Sequence, residues 1–211
     1  MRNHFKNAVY LALLIASSTV GAGSYDDFFV AIIRDDVSTV RSLLARGMDP
    51  NSRDPKGQPA LAVAIRRESP RAFAALLARS DVDVNAQNAA GESALMLAAI
   101  AGDLDACQQL LERGALVRKS GWAPIHYAAS GPETRIVRLL LDRGAEIDAE
   151  APNGTTALML AAQTGPESTV EFLLARGADT RRRNQRGLQA IDFAEQAGRD
   201  WLVERLEKLP R

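Results

Sequence analysis

One cysteine and two histidines are all that this chain of 211 residues offers toward thiol or imidazole chemistry. A lone Cys107 cannot close an intramolecular disulfide. His4 and His126 provide no spacing at which zinc ligands would converge. No GxxxxGKS/T phosphate loop, GxSxG elbow or HExxH helix is present. The carboxylates fall mostly at turn or solvent positions. No catalytic residue is therefore assigned, no cofactor or metal is expected, and the chain reads as non-enzymatic. Charge excess of one sign is also missing: 26 basic residues face 26 acidic ones. That balance argues against nucleic acid or an anionic membrane surface as the partner.

The apolar N-terminal stretch falls short of the ~20 residues needed to span a membrane. Arg2 and Lys6 precede the uncharged segment from Ala8 to Ser24. Its most apolar part, Ala8 to Ala16, is followed by Ser17-Ser18-Thr19 and by Val20-Gly21-Ala22, a small-residue cleavage pattern. The order of features is that of a secretory signal over 1–22. Its removal takes Arg2 and Lys6 from the 26 basic residues, leaving 24 against 26 acids, a balance of −2. An exported chain without disulfides suits a bacterial periplasm, so a periplasmic or secreted address is expected, with no membrane span after cleavage. Asn153-Gly154-Thr155 is formally a glycosylation acceptor, but Asn-Gly already has a turn role.

What the chain has in quantity is repetition. The marker LL-x-R-G begins at Leu43, Leu76 (with Ser80 in place of Gly), Leu110, Leu140 and Leu173. The intervals of 33, 34, 30 and 33 residues lie in the range of stacked repeats. Each unit has a glycine before one apolar helix-like segment, then a second such segment ending in Leu-Leu. Gly57, Gly91, Gly121, Gly154 and Gly187 open the units. The openings read GQPALAVAI, GESALMLAA, GWAPIHYAA, GTTALMLAA and GLQAIDFAE. The turns after the second segments read GMDPN at 47, SDVDVN at 80, GALV at 114, GAEID at 144 and GADT at 177.

These motifs resemble the ankyrin repeat, whose pattern runs G-x-T-P-L-H-x-A-A, a second helix ending in Leu, then G-A-D-V-N. The resemblance covers residues 25 to 209 and implies an all-α repeat solenoid: an ankyrin stack of helix-turn-helix units with short β-hairpin fingers. Since each unit meets only its neighbours, the expectation is one continuous solenoid. The expected division is an N-terminal capping repeat over 23–53, repeats over 54–86, 87–117, 118–150 and 151–183, and a C-terminal cap over 184–211.

Local signals refine this division. Asp26-Asp27 suit a helix start, and Ser93 and Thr156 suit N-caps. The alanines at 98, 99, 128, 129, 161 and 162 would let neighbouring helices approach closely. Gly47, Gly114, Gly144 and Gly177 would end second helices. Cys107 shares a slot with Val40, Phe73, Val137 and Val170 and reads as a small buried hydrophobe. His126 occupies the family's helix-cap position, which implies a structural role. The connection into the fourth repeat is three residues short, so Val117-Arg118-Lys119-Ser120 should form a truncated finger. Trp201, Leu202, Leu206 and Leu209 lie among charges in an amphipathic C-terminal cap.

In proteins of this family a protein partner is held on the concave side, by fingertips and exposed first-helix ends. Carried over by register, the fingertip positions include Lys56, Glu92, Lys119, Trp122, Asn153, Thr155 and Arg186. The first-helix positions include Arg66, Arg67, Ile100, Ser130 and Gly131. Trp122 stands where the family varies, and Trp and Arg are enriched at binding hot spots. It either centres a site with Ile100, rimmed by Arg66, Arg67 and Lys119, or packs locally over the shortened finger. Arg181-Arg182-Arg183 with Arg186 either recognises an acidic partner or forms a solvated, salt-bridged finger. The resemblance implies a monomeric, non-catalytic binding module of the cell envelope that acts as an accessory factor to a periplasmic enzyme. Alternatives are a toxin antagonist, a host-directed effector or a self-associating element.

Overall fold

The computed structural model describes residues 22–209, and the expected secretory signal over 1–22 lies almost wholly outside them. Twelve helices occur among the described residues, and no extended strand. They fall into two compact units, one ending at Asp83 and the other starting at Val84.

The first unit holds α1 (Ala22–Ile33), α2 (Val37–Ala45), α3 (Ala60–Arg66) and α4 (Pro70–Leu77). Phe28, Ile32, Val40, Leu61, Ala64, Phe73 and Leu76 form its core. Helix α1 begins upstream of Asp26-Asp27, which therefore lie beyond its first turn. The expected acidic helix start is corrected accordingly: Ala22 to Tyr25 already carry the helix, so these acids do not face its terminal amide groups. Asp36 caps α2 by accepting from Thr39 N (3.2 Å) and the Ser38 and Thr39 hydroxyls, which hold its pKa at about 2. At Ser80, the one marker without glycine, backbone φ is not positive. Instead, Asn51 Nδ2 donates to Asp81 O (2.8 Å) and Asn51 Oδ1 accepts from Asp83 N (2.7 Å).

The second unit holds α5 (Ala94–Ala101), α6 (Leu104–Glu112), α7 (Pro124–Ser130), α8 (Thr134–Asp142), α9 (Ala157–Thr164), α10 (Glu167–Ala175), α11 (Ala190–Gln196) and α12 (Asp200–Glu207). Helices α5, α7, α9 and α11 pack side by side as an inner layer, each also contacting its own second helix; α6, α8 and α10 form the outer layer. The inner helices are short and alanine-rich: Ala98, Ala99, Ala128, Ala129, Ala161 and Ala162 are all buried. Second helices are amphipathic instead; α8 buries Ile136, Val137 and Leu140 and exposes Arg135 and Arg138. This division follows burial on several sides for the inner layer and on one side for the outer. Ser93 and Thr156 cap α5 and α9, accepting from Met96 N and Met159 N.

Two glycines carry a requirement that the repeat pattern does not announce. Gly131 and Gly165 precede Pro132 and Pro166 with extended backbone (φ −79° and −72°), as the residue before proline prefers. A Cβ on Gly131 would stand 2.6 Å from Ala99 O, and one on Gly165 would stand 2.3 Å from Ala129 O. Each turn thus presses backbone onto the end of the preceding inner helix. Gly131 is buried, which corrects its expected place among exposed first-helix positions. At the other end, Arg199 Nη1 donates to Ala161 O (2.7 Å), Ala162 O (3.1 Å) and Gly165 O (2.9 Å). A guanidinium there satisfies the orphan carbonyls of α9 and complements its dipole. Trp201 packs against the same guanidinium, 5.2 Å away, and stays partly exposed, while Leu202 and Leu206 enter the core.

Gly165→Ala should lower the unfolding free energy by ~2 kcal/mol or more, the cost of forcing atoms into a packed layer. Gly114→Ala, with open space but positive φ, should cost ~1 kcal/mol. Urea denaturation of both variants checks the order; equal costs would mean that the close approach at Gly165 is relaxed in solution.

Candidate partner-binding surface

Each finger begins after a second helix and ends at the glycine before the next inner helix. Four fingers share one turn. In the first unit Asp54 N donates to Gln58 O, and Gly57 N to Asp54 O. In the second, the same two bonds join Asn88 to Glu92 and Gly91, Ala151 to Thr155 and Gly154, and Asn184 to Leu188 and Gly187. Asp54, Asn88 and Asn184 add side-chain acceptors for two amides ahead, an Asx turn that fixes the loop locally. The glycine φ is near +75° in all four (+74°, +77°, +77° and +76°), the left-handed region that favours glycine. Isolated antiparallel bridges, Arg53–Pro59 and Gln87–Ser93, close the bases of two fingers. The expected β-hairpins are thus reduced to tight turns.

The finger at 118–122 is different. Its backbone makes neither of the two bonds. Arg118 Nε donates to Gly144 O (2.6 Å), and Arg118 Nη1 lies 3.4 Å from Glu146 Oε1. Lys119 Nζ reaches the third finger at Gly91 O (2.9 Å). Beside this finger is a cleft of about 410 Å³ with Ala123, Ile125, Ala145 and Ala149 among its lining.

Trp122 is 37 % exposed. Its ring meets His126 edge-to-face at 5.5 Å and Tyr127 at 6.4 Å. The indole therefore both packs locally and presents a face outward. Tyr127 O–H donates to Glu92 Oε1 (3.2 Å), and Glu92 Oε2 accepts from Asn88 Nδ2 (2.8 Å). Trp122, Tyr127, Glu92 and Lys119 thus form one patch across the third and fourth fingers. Ile100, 38 % exposed, lies toward the far end of α5, ~9 Å along a helix axis from the finger level. Asn153 O accepts from Gln185 N (2.9 Å), and Gln185 Nε2 donates to Pro152 O (2.7 Å). Fingers five and six are joined in this way. Thr155, expected at a fingertip, is buried.

Of the sequence-expected residues, Glu92, Lys119 and Asn153 tie fingers together, while Trp122, Ile100 and Arg186 are exposed. Lys56, Arg66 and Arg67 are also exposed and belong to the first unit. In the arginine cluster Arg181 pairs with Asp179 (3.2 Å) and Arg182 with Glu150 (2.9 Å), while Arg183 donates to Gly187 O (2.7 Å). This is a salt-bridged finger. Tyr127 emerges as a patch residue; it was hidden in the apolar helix pattern, since its role comes from the neighbouring repeat's Glu92.

His126 is buried. Its Nδ1 accepts from Ala123 N (3.0 Å), so Nε2 carries the proton and donates to Ala149 O (2.9 Å). Burial holds the imidazole pKa below its ordinary value, against the opposing effect of its backbone hydrogen bonds. It ties the start of α7 to the next finger, the structural role expected. Cys107 is likewise buried. Desolvation, helped by the Asp103 charge, pushes its thiol up to about 12. Among the described residues no group of three or more His, Cys, Asp and Glu is placed to hold a metal.

The model for ankyrin repeats, in three copies, matches residues 28–120, 67–151 and 116–184. The chain belongs to the ankyrin repeat family. Ankyrin repeats are protein–protein interaction modules. A mouse B-cell lymphoma 3 protein homolog is 34 % identical over 143 residues, covering 64 % of this chain and 32 % of the mouse protein. The human transient receptor potential cation channel subfamily A member 1 is 30 % identical over 119 residues, 55 % of this chain and 11 % of the channel. The chain thus spans about a third of the first relative and about a tenth of the second. Among solved structures, the ankyrin repeat domain of Bcl-3 superposes with TM-score 0.67 at 32 % identity, over 78 % of this chain and 75 % of that one. A chain of the Bdellovibrio bacteriovorus predatory endopeptidase–immunity protein complex superposes with TM-score 0.75 at 25 % identity, over 87 % of this chain and 97 % of that one.

The His126 geometry fixes a pH dependence. The unfolded imidazole takes up a proton near pH 6.5 and the folded one only at lower pH, so stability falls as pH drops through about 6.5, by at most ~1.4 kcal/mol per unit. His126→Met, the residue that neighbouring repeats carry at 96 and 159, should be less stable at pH 7.5. Its deficit should shrink by pH 5.5 in thermal or urea unfolding. A deficit independent of pH would mean that His126 titrates normally when folded.

Proposed function

We propose that this ankyrin stack is a non-catalytic protein-binding module of the cell envelope. Its partner is held by the fingertips and inner-helix ends on the concave side, with Trp122 at the centre of contact. The observation that carries this reading is the locked finger array of the second unit. Lys119 to Gly91 O, Tyr127 to Glu92, and Gln185 to Pro152 O and Asn153 O fix the fingers to one another. Exposed Trp122 and Arg186 sit on that fixed frame. Such a surface loses little ordering entropy when it binds.

The partner we favour is an exported enzyme. The similarity to a chain of an endopeptidase–immunity protein complex, over 97 % of that chain, supports restraint of such an enzyme by binding over a purely accessory role. The secretory signal over residues 1–22 supports the address. N-terminal sequencing of the envelope form should then begin at Gly23; a product retaining Met1 in the cytoplasmic fraction contradicts export.

Affinity capture of the mature protein from an envelope extract, run beside Trp122→Ala, tests the binding reading. One protein should be retained by the wild type and lost with the variant, with binding weakened ~30-fold or more, as expected for a hot-spot tryptophan. Empty or identical captures would remove Trp122 from the site and leave self-association as the leading alternative.

A further inference from the structure

The exposed indole of Trp122 stands beside two rings, and each ring is pinned by a different neighbouring repeat. His126, edge-to-face at 5.5 Å, is held by Ala123 N and by Ala149 O at the approach to the fifth finger. Tyr127, at 6.4 Å and 82°, is held by the preceding repeat. Its hydroxyl donates to Glu92 Oε1 (3.2 Å) on the third finger. Both separations lie within the range at which perpendicular aromatic rings attract.

Glu92 is itself placed by its own turn. Asn88 Oδ1 accepts from Glu92 N (3.0 Å), and Asn88 Nδ2 donates to Glu92 Oε2 (2.8 Å). Lys119 Nζ, on Gly91 O (2.9 Å), ties the same finger to the fourth. Stacking does not account for the Tyr127–Glu92 bond. The other Gly-led inner helices carry Val63, Leu97, Leu160 and Phe193 at the position of Tyr127, and none of these side chains has a hydrogen-bonding group. The finger positions matching Glu92 are Gln58, Trp122, Thr155 and Leu188. A carboxylate facing a phenol therefore occurs at one junction of the Gly-led units, and it is the junction whose finger carries the tryptophan.

We propose that Glu92 is a positioning residue of the binding surface. Through the Tyr127 hydroxyl it fixes the ring beside which Trp122 stands, so the third finger sets the orientation of the fourth repeat's contact residue. Without that bond the phenol ring is free to change rotamer, and the indole loses one of its two walls. A side chain held in its bound orientation before contact has less freedom to lose on binding. The proposal rests on the protein-binding reading above, which makes Trp122 the contact residue, and adds that its affinity is decided one repeat away.

The test uses the full mature chain with Trp201→Phe, which leaves Trp122 as its one tryptophan. Near-UV circular dichroism reads how rigidly the indole is held, and acrylamide quenching reads its exposure. Tyr127→Phe keeps the ring and drops the hydroxyl, while Glu92→Leu introduces the residue type found at Leu188. Each should weaken the indole dichroism and raise quenching, with far-UV dichroism showing the chain still folded. The two changes combined should do no more than either alone, as for two ends of one interaction. Glu92→Gln, whose amide still bonds the phenol, should keep the wild-type indole signals. Unchanged signals in Tyr127→Phe and Glu92→Leu, or changed signals with undiminished partner affinity, would overturn the proposal. Equal losses in Glu92→Gln would also overturn it, making the carboxylate a general support of the finger. Envelope capture separates this from the binding reading: Tyr127→Phe should hold the partner ~5-fold more weakly, the worth of one hydrogen bond. Changed indole signals with empty wild-type captures keep the positioning and remove the envelope partner. A captured partner with unchanged signals keeps the module and removes Glu92 from its machinery.

Discussion

A unit of some thirty residues cannot bury its own apolar face, so everything here depends on how one repeat's backbone is held against the next. The recurring device is a single polar side chain reaching one repeat ahead. Asn51 holds Asp81 and Asp83, Asn85 holds Gly114 O (3.3 Å) and Leu116 N (2.8 Å), and Asp148 Oδ1 accepts from Asp179 N (3.0 Å). Arg118 takes this place in the shortened repeat by donating to Gly144 O. Because these bonds fix the spacing of the fingers, the small side chains of the inner layer can be as small as alanine without leaving voids. Close packing and polar stapling are one constraint seen from two sides.

Departures from the repeat have physical compensation nearby. Ser80 lacks the left-handed freedom of glycine, and Asn51 secures the altered turn. Pro132 and Pro166 force extended backbone before them, and Gly131 and Gly165 turn that into a close approach to the preceding inner helix. The last repeat lacks the Gly-Pro turn, and Arg199 covers the end of α9 instead. Only the fourth finger departs without such a repair, because Arg118 and Lys119 secure its side chains and not its main chain.

Much of the fold was legible because the determinants lie within one repeat. The marker spacing, the Ser93 and Thr156 caps, the buried Cys107 slot and the His126 role all follow from in-register positions. The start of α1 was misread because Asp26-Asp27 look like a first turn when α1 is judged from its acids alone. The roles of Gly131, Glu92, Lys119 and Asn153 were beyond reach for a different reason. Each is decided by an atom about thirty residues away, Ala99 O, Tyr127 Oη, Gly91 O and Gln185 N respectively, and a pattern within one repeat has no access to that register. Fingertip positions chosen by repeat number therefore mixed exposed residues with residues that serve the stack.

Cys107 gives this architecture an internal clock. A thiol with no exposure and a pKa near 12 holds no appreciable thiolate at neutral pH, and the thiolate is the reacting species. Alkylating reagents can reach it only when α6 lifts away from its neighbours. The rate of its modification therefore counts how often the third repeat opens, in a protein with no other sulfhydryl to confuse the count.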